Sequence, residues 1–352
     1  MLPSRYQPIG NPQNGGFGSV VRVRDTYLDR DVMFKVMHDP NANDQLTNEV
    51  MALSQARSKH VVEIYDAVRN SAGKLTGIII EALDGRTYES FHMEAARFPL
   101  EFVKILYQIS CGLADLHSAG IIHRDLKLEN FRDSSEGVLK LFDFGISSTR
   151  PDYITQTNRG TLVYAAPELY LPNARITTAL DIYAFGICAW ALASMQLPHE
   201  LLERPPQQAR RVASISSVMG GALDHRVASI IDACLDPNPS GRPTAAMIQN
   251  TLKEALISGK HRGRFVQGSK QVYEMSSNAP FVRISVPGKG ILEVRYNGYE
   301  FNAVGVQGDV MINRLQAQVG LRLPEACVLA FGSDQTGRTF VTFSSSHPEI
   351  VI

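Results

Sequence analysis

Within eight residues, His123-Arg124-Asp125-Leu126-Lys127-Leu128-Glu129-Asn130 carries a carboxylate, an ammonium group and a side-chain amide. Moving a phosphoryl group onto a hydroxyl needs a carboxylate to orient the nucleophile and accept its proton. It also needs a cation on the migrating group and oxygen ligands for Mg²⁺. Asp125, Lys127 and Asn130 supply those three types from one short loop. Thirteen residues beyond Asn130 stands Asp143-Phe144-Gly145, preceded by the strand-like Leu139-Lys140-Leu141-Phe142. A carboxylate at a strand end followed by glycine suits a metal ligand on a turn.

The elements around these residues change character along the chain. Up to about Leu83, β-branched residues alternate with turn signals. Ser19–Val23 and Asp31–Val36 read as strands joined by a polar turn around Leu28-Asp29-Arg30. Leu46, Val50 and Leu53 draw a helical stripe over Asp44–Gln55. From Leu100 to Ile257 the spacing is mostly helical, with one face at Leu106, Ile109, Leu113 and Leu116 and another at Ile230, Ile231 and Leu235. The most apolar stretch, Ile182–Leu197, is shorter than a spanning helix prefers and reads as a buried core helix.

A polar, glycine-containing break follows at Ser258–Arg264, and strand patterns dominate after it. Ile291–Tyr296, Asn297-Gly298 and Tyr299–Phe301 read as a hairpin with a tight turn. Val310–Val319 reads as one helix, and Val328–Phe331 and Thr339–Phe343 as further strands.

Composition narrows the class. A chain of 352 residues, 44% hydrophobic and 20% charged, can bury a sizeable core in two or three domains. Its formal net charge is zero, so nothing in the balance points to nucleic acid or an anionic membrane. The opening MLPSRYQPIG lacks the apolar core of a signal peptide. Cys111, Cys188, Cys234 and Cys327 show no metal spacing and read as small core residues of a reducing compartment. A cytoplasmic location is expected.

With the catalytic-loop segment and the Asp-Phe-Gly triplet at this spacing, the chain resembles the eukaryotic-type Ser/Thr protein kinases. The resemblance runs from about Ile9 to Leu256. It implies a two-lobed α+β kinase fold, with a β-rich N-lobe over 1–83 and a helical C-lobe over 84–258. It implies ATP and Mg²⁺ as cofactors and protein substrates as partners. By that resemblance Asp125 is the catalytic base, Lys127 contacts the transferring phosphate, and Asn130 and Asp143 hold Mg²⁺. Gln13-Asn14-Gly15-Gly16-Phe17-Gly18-Ser19-Val20 resembles the glycine-rich loop, so Gly15, Gly16, Gly18 and Val20 are expected over the nucleotide. Gln13 replaces the family's first glycine, unless Gly10 serves instead. Lys35 matches the lysine that grips the α- and β-phosphates, and Glu49 the helix glutamate that pairs with it. Glu81 and Leu83 fall in the hinge that would bind adenine. Met33 stands where the family usually has alanine, against the adenine ring.

Gly160–Glu168 resembles the end of an activation segment, with Thr161 a feature of Ser/Thr rather than Tyr kinases. Glu168 is expected to pair with Arg242, and Asp181 to support the catalytic loop from below. Arg124 beside Asp125 is the arrangement of kinases that use a phosphorylated activation segment, which points to autophosphorylation at Thr155 or Thr157. Ser147, Ser148 and Thr149 lie nearer the metal site.

The rest, 259–268 as a linker and 269–352 as a small α+β domain, lies outside the kinase resemblance. Gly320–Glu325 followed by Val328–Gly332 resembles ubiquitin-like β-grasp proteins. A docking or regulatory module and a structural annex both fit, as do a core or a binding role for Tyr296, Tyr299 and Phe301. Two further readings of the whole chain stand beside the kinase. One is a pseudokinase scaffold that binds partners without chemistry. The other is a small-molecule kinase of the aminoglycoside phosphotransferase kind, whose members lack the Ala-Pro-Glu segment and the Arg242 motif.

Overall fold

A computed structural model describes residues 2–14, 18–37, 43–144, 153–155, 162–268, 271–335, 337–346, 348 and 350, with backbone only at 13–14, 37, 43–45, 153–155 and 162. The chain divides into two compact units, Met1–Leu252 and Lys253–Val351.

The first unit opens with strands β1 (Tyr6–Pro8), β2 (Gln13–Asn14), β3 (Gly18–Asp25) and β4 (Arg30–Met37). Helix α1 (Asn43–Gln55) and strands β5 (Ile64–Arg69) and β6 (Leu75–Glu81) follow. The strands form one antiparallel sheet in the order β1-β3-β4-β6-β5, with β2 paired to β3. Tyr6, Val23, Val32, Val68 and Ile79 pack into a small core. On the other face α1 buries Leu46, Ala52 and Leu53, together with the polar Glu49.

Beyond β6 helices take over. Pro99 opens α2 (Pro99–Ser118), where its missing N–H costs nothing and its fixed φ suits the first turn. Glu101 in the first turn and His117 in the last match the helix dipole. Phe102, Ile105, Leu106, Ile109, Leu113 and Leu116 are buried along α2, as a helical period requires. Short strands β7 (Phe131–Asp133) and β8 (Leu139–Leu141) pair with each other, and β9 (Tyr153–Thr155) pairs with β10 (Ala174–Ile176). Gly112 lets α2 close on β8: a Cβ there would lie 2.8 Å from Leu141 and 3.0 Å from the His60 carbonyl. Helix α3 (Ala179–Ala193) is buried on nearly every side, as expected for the most apolar stretch. Helices α4 (His199–Leu202), α5 (Ser216–Met219), α6 (His225–Cys234) and α7 (Ala245–Ile257) complete the set. All four cysteines are free and buried. Among the described residues no helix is long and apolar enough to cross a membrane.

The second unit differs from the expected α+β domain. It is built from β11 (Gly263–Gln267), β12 (Gln271–Met275), β13 (Phe281–Val286), β14 (Gly290–Tyr296), β15 (Phe301–Gly308), β16 (Val310–Ile312), β17 (Leu315–Gln316), β18 (Ala326–Phe331) and β19 (Thr339–Ser345). One sheet runs β12-β11-β19-β18-β16-β17 and the other β13-β14-β15, and both contribute to one core around Phe265, Leu292, Phe331 and Phe343. No helix lies between 258 and 346 among the described residues, and without one the β-grasp likeness does not hold. The expected helix at Val310–Val319 is instead the hairpin β16–β17. Val310 and Ile312 are buried with period two, and Asn313 at φ 54° makes the turn. Of the expected linker 259–268, residues 263–267 instead form strand β11, paired on both sides in its sheet. Asn297-Gly298 does turn the β14–β15 hairpin, but the loop takes in Tyr299 and Glu300 as well, since Tyr296 faces Phe301 in register. Tyr296 and Phe301 are core residues, stacked at 4.6 Å.

Candidate active site

The sheet of the first unit and the loops after β6 and β8 line a cavity of about 430 Å³. Val20, Met33, Val62, Ile80 and Leu83 give it apolar walls, and Lys35 and Asp143 give it charge. Gly18 and Glu81 also line it. Register explains the grouping: Lys35 on β4 stands opposite Val20 on β3 and Ile78 on β6.

Lys35 Nζ lies 2.8 Å from Glu49 Oε1 and 2.9 Å from Asp143 Oδ1, partners 14 and 108 positions away in sequence. Burial works against the Lys35 charge, but Glu49 and Asp143 outweigh it and raise the ammonium above the ordinary lysine range. Burial would likewise raise Asp143, and the neighbouring Lys35 reverses that and holds the carboxyl below its usual value. Glu49 Oε2 is buried with no hydrogen-bond partner among the described residues, which leaves an acceptor pointing at an unfilled need.

Asp125, Lys127 and Asn130 meet in the loop before β7. Lys127 Nζ donates to Asp125 Oδ2 at 2.7 Å. Asn130 Nδ2 donates to the Asp125 carbonyl at 2.8 Å and to Oδ2 at 3.3 Å, which leaves its amide oxygen as the group it can offer a cation. Two residues here take the left-handed backbone that non-glycine residues avoid: Arg124 at φ 71° and Asp143 at φ 68°. Buried Asp181 holds the first. It accepts the backbone N–H groups of His123 and Arg124 at 2.8 Å each, and a 2.8 Å bond joins it to His117 Nε2. Burial pushes against its charge, but the His117 bond and these N–H donors keep its carboxyl below the ordinary range. Phe144, fully buried, packs on the His123 ring at 4.7 Å and ties the Asp143 turn to the catalytic loop.

Further out, Arg242 grips Glu168 with both terminal nitrogens at 2.7 and 2.8 Å. Its remaining donors reach the carbonyls of Asp236, Pro237 and Ala179, so every N–H of the buried guanidinium is used.

Several features had no signal in the sequence. Arg22 forms a two-pronged ion pair with Asp84 at 2.6 and 2.7 Å beside the cavity mouth. Lys140 reaches Glu81 at 2.7 Å, and Arg132 lines the cavity wall. These partners are 62 and 59 positions apart, beyond any local pattern. Gly10 and Asn11 also line the cavity, so the stretch before Gln13 contributes to it. Gly15, Gly16, Gly145, Thr157 and Thr161, with Ser147, Ser148 and Thr149, lie outside the described residues, and Thr155 is described by backbone alone.

The family model for the protein kinase domain matches residues 5–252. The chain belongs to the protein kinase domain family. Among curated relatives, the serine/threonine-protein kinase PknL of Mycobacterium tuberculosis is 31% identical over 56% of this chain and 51% of its own length. A probable serine/threonine-protein kinase PknB of Lactococcus lactis is 33% identical over 57% of this chain and 33% of its own. A probable serine/threonine-protein kinase of Clostridium acetobutylicum is 26% identical over 86% of this chain and 47% of its own. The chain spans about a third to a half of the length of these relatives. The family match ends where the first compact unit of this kinase-domain chain ends.

Proposed function

We propose that this chain is a protein serine/threonine kinase that moves the γ-phosphate of ATP onto Ser and Thr hydroxyls of other proteins. The observation that carries the reading is the 2.9 Å pair of Lys35 and Asp143 in an apolar-walled cavity, next to Asn130, which bonds Asp125 and whose backbone carbonyl accepts the backbone N–H of Phe142 in the cavity lining. The same arrangement counts against a scaffold without chemistry.

The residues fit a nucleotide and a divalent cation. Apolar walls from Val20, Met33 and Leu83 suit a flat base, and Asp143 and Asn130 offer hard oxygen donors. Bound Mg²⁺–ATP supplies the transferable phosphoryl group and neutralises charge on it. Glu49 fixes Lys35 so that its ammonium can exchange Asp143 for phosphate oxygens. Asp125 orients the incoming hydroxyl and takes its proton, and Lys127 beside it steadies the charge that builds on the transferred group. Asp181 keeps the loop that carries Asp125 in its strained shape.

The direct test is transfer of radiolabelled phosphate to a generic protein substrate by wild type, Asp125→Ala and Asp143→Ala. Each variant is expected to fall by about two to four orders of magnitude. Wild-type labelling no higher than that of the variants would end the proposal. On the same reading the kinase phosphorylates itself at Thr155 or Thr157, and mass spectrometry after incubation with ATP should find phosphate on one of them.

A further inference from the structure

The C-terminal unit carries a recess of about 880 Å³ lined by Gly259–Arg264, Glu274–Ala279 and Ser344–Ser346. Strand pleating explains its chemistry. Phe265, Met275 and Phe343 are buried in the core, so Arg264, Glu274 and Ser344, paired in register across β12, β11 and β19, stand on the opposite, exposed face. Arg262, Ser276 and Ser346 follow the same alternation one row further, and Lys260 comes in from the preceding loop. Lys260, Arg262 and Arg264 have no side-chain partner among the described residues. Against the single carboxylate of Glu274 they leave an excess of two positive charges with His261 neutral.

Toward the other end of the same face the chemistry changes. Val272, Val266, Thr342 and Val328 form one row across four strands, with Val272 44% and Val328 41% exposed, and Phe340 stands beyond it at 55%. A nucleic-acid strand or an anionic membrane would need cations repeated along the surface. Here they stop at one end, and apolar side chains begin two residues on.

We propose that this face binds a protein segment carrying a phosphorylated Ser or Thr, with the phosphate in the recess and an apolar side chain on the valine row. A phosphorylated hydroxyl carries a charge of about −1.5 to −2 at neutral pH, which matches the excess in the recess. Guanidinium groups and serine hydroxyls are the donors such a group takes. Two residues along a strand span roughly 7 Å, so the apolar contact comes from a residue about two positions from the phosphorylated one. The inference rests on the kinase reading only for the source of the ligand: the product of the first unit is the ligand of the second.

The test uses the full chain and a fluorescent peptide with phosphothreonine and a leucine two positions away. Comparison peptides carry unmodified threonine, or serine in place of the leucine. The phosphopeptide is expected to bind roughly tenfold tighter or more than the unmodified one, with a smaller loss when leucine is replaced. The double variant Arg262→Ala/Arg264→Ala should lose the preference while keeping the thermal midpoint and phosphate transfer to a generic substrate. Arg262 contributes its backbone, not its side chain, to the bonds with Ser346, so the fold should survive. Equal binding of both peptides would overturn the proposal. So would unchanged binding by the double variant, preference for phosphatidylserine vesicles over the phosphopeptide, or inorganic phosphate competing as well as the whole peptide. Phosphopeptide binding without any phosphate transfer would uphold this proposal and remove the kinase reading instead.

Discussion

Asp181 Oδ1 accepts the backbone N–H of Arg124 at 2.8 Å and so holds that residue at φ 71°. The strained backbone and the buried carboxylate explain each other. Without the acceptor, Arg124 would relax, and Asp125 after it would turn with it.

Asp181→Ala should therefore cost both stability and rate. It leaves two buried N–H groups and His117 without an acceptor, worth about 2–4 kcal/mol in denaturant unfolding. Phosphate transfer should fall at least tenfold even where the variant is fully folded. A folded variant with wild-type rate would show that the loop keeps its shape unaided.

Arg242→Ala should destabilise the first unit by about 3–5 kcal/mol, because Glu168 stays behind with its charge unpaired. Arg242→Lys should recover little, since one ammonium cannot reproduce a two-pronged grip and three carbonyl bonds. A lysine variant with wild-type stability would contradict this account.

The Lys35–Asp143 pair sets a pH window. Asp143 is held low, so its contribution is present above the ordinary carboxyl value of 3.8 and is lost as pH falls through the lowered one. Lys35 is held high, so its contribution is present below the ordinary 10.5 and is lost only as pH rises through the raised value. The pair is thus intact from about pH 5 to about pH 10. Carboxyl NMR should place the Asp143 midpoint below 3.8 in wild type. In Lys35→Met it should rise, since burial is then opposed only by the more distant His123 and Lys127.

Gly77 is a tighter case than its sequence suggests. A Cβ there would meet the Phe34 ring and lie 2.8 Å from the Lys35 carbonyl. Gly77→Ala should cost about 1–3 kcal/mol and reduce transfer by displacing the strand that carries Lys35. Unchanged denaturation midpoint and rate would show that Phe34 swings aside freely.

What could be read from the sequence follows a physical divide. Asp125, Asn130 and Asp143 stood out in the sequence because they fall in short motifs that resemble those of the kinase family, whose proposed chemistry calls for such residue types. Helix α3 was legible as an unbroken apolar run, and strands β3, β4, β18 and β19 as short β-branched and aromatic runs. Arg22–Asp84 and Lys140–Glu81 were not, since each joins positions that only the folded sheet brings together. Val310–Val319 misled for another reason. Val310, Leu315 and Val319 can be placed on a helix, yet Val319 is 67% exposed, and the turn former Asn313 marked the hairpin. Short apolar segments of this kind fit either period.

Two carboxylates flank the single ammonium of Lys35. With all three ionised, that corner of the cavity carries a surplus negative charge before any guest arrives. A bare triphosphate would meet repulsion there, and one that arrives with its countercharge would not. On the kinase reading that corner thus favours a guest by its net charge as well as by its shape.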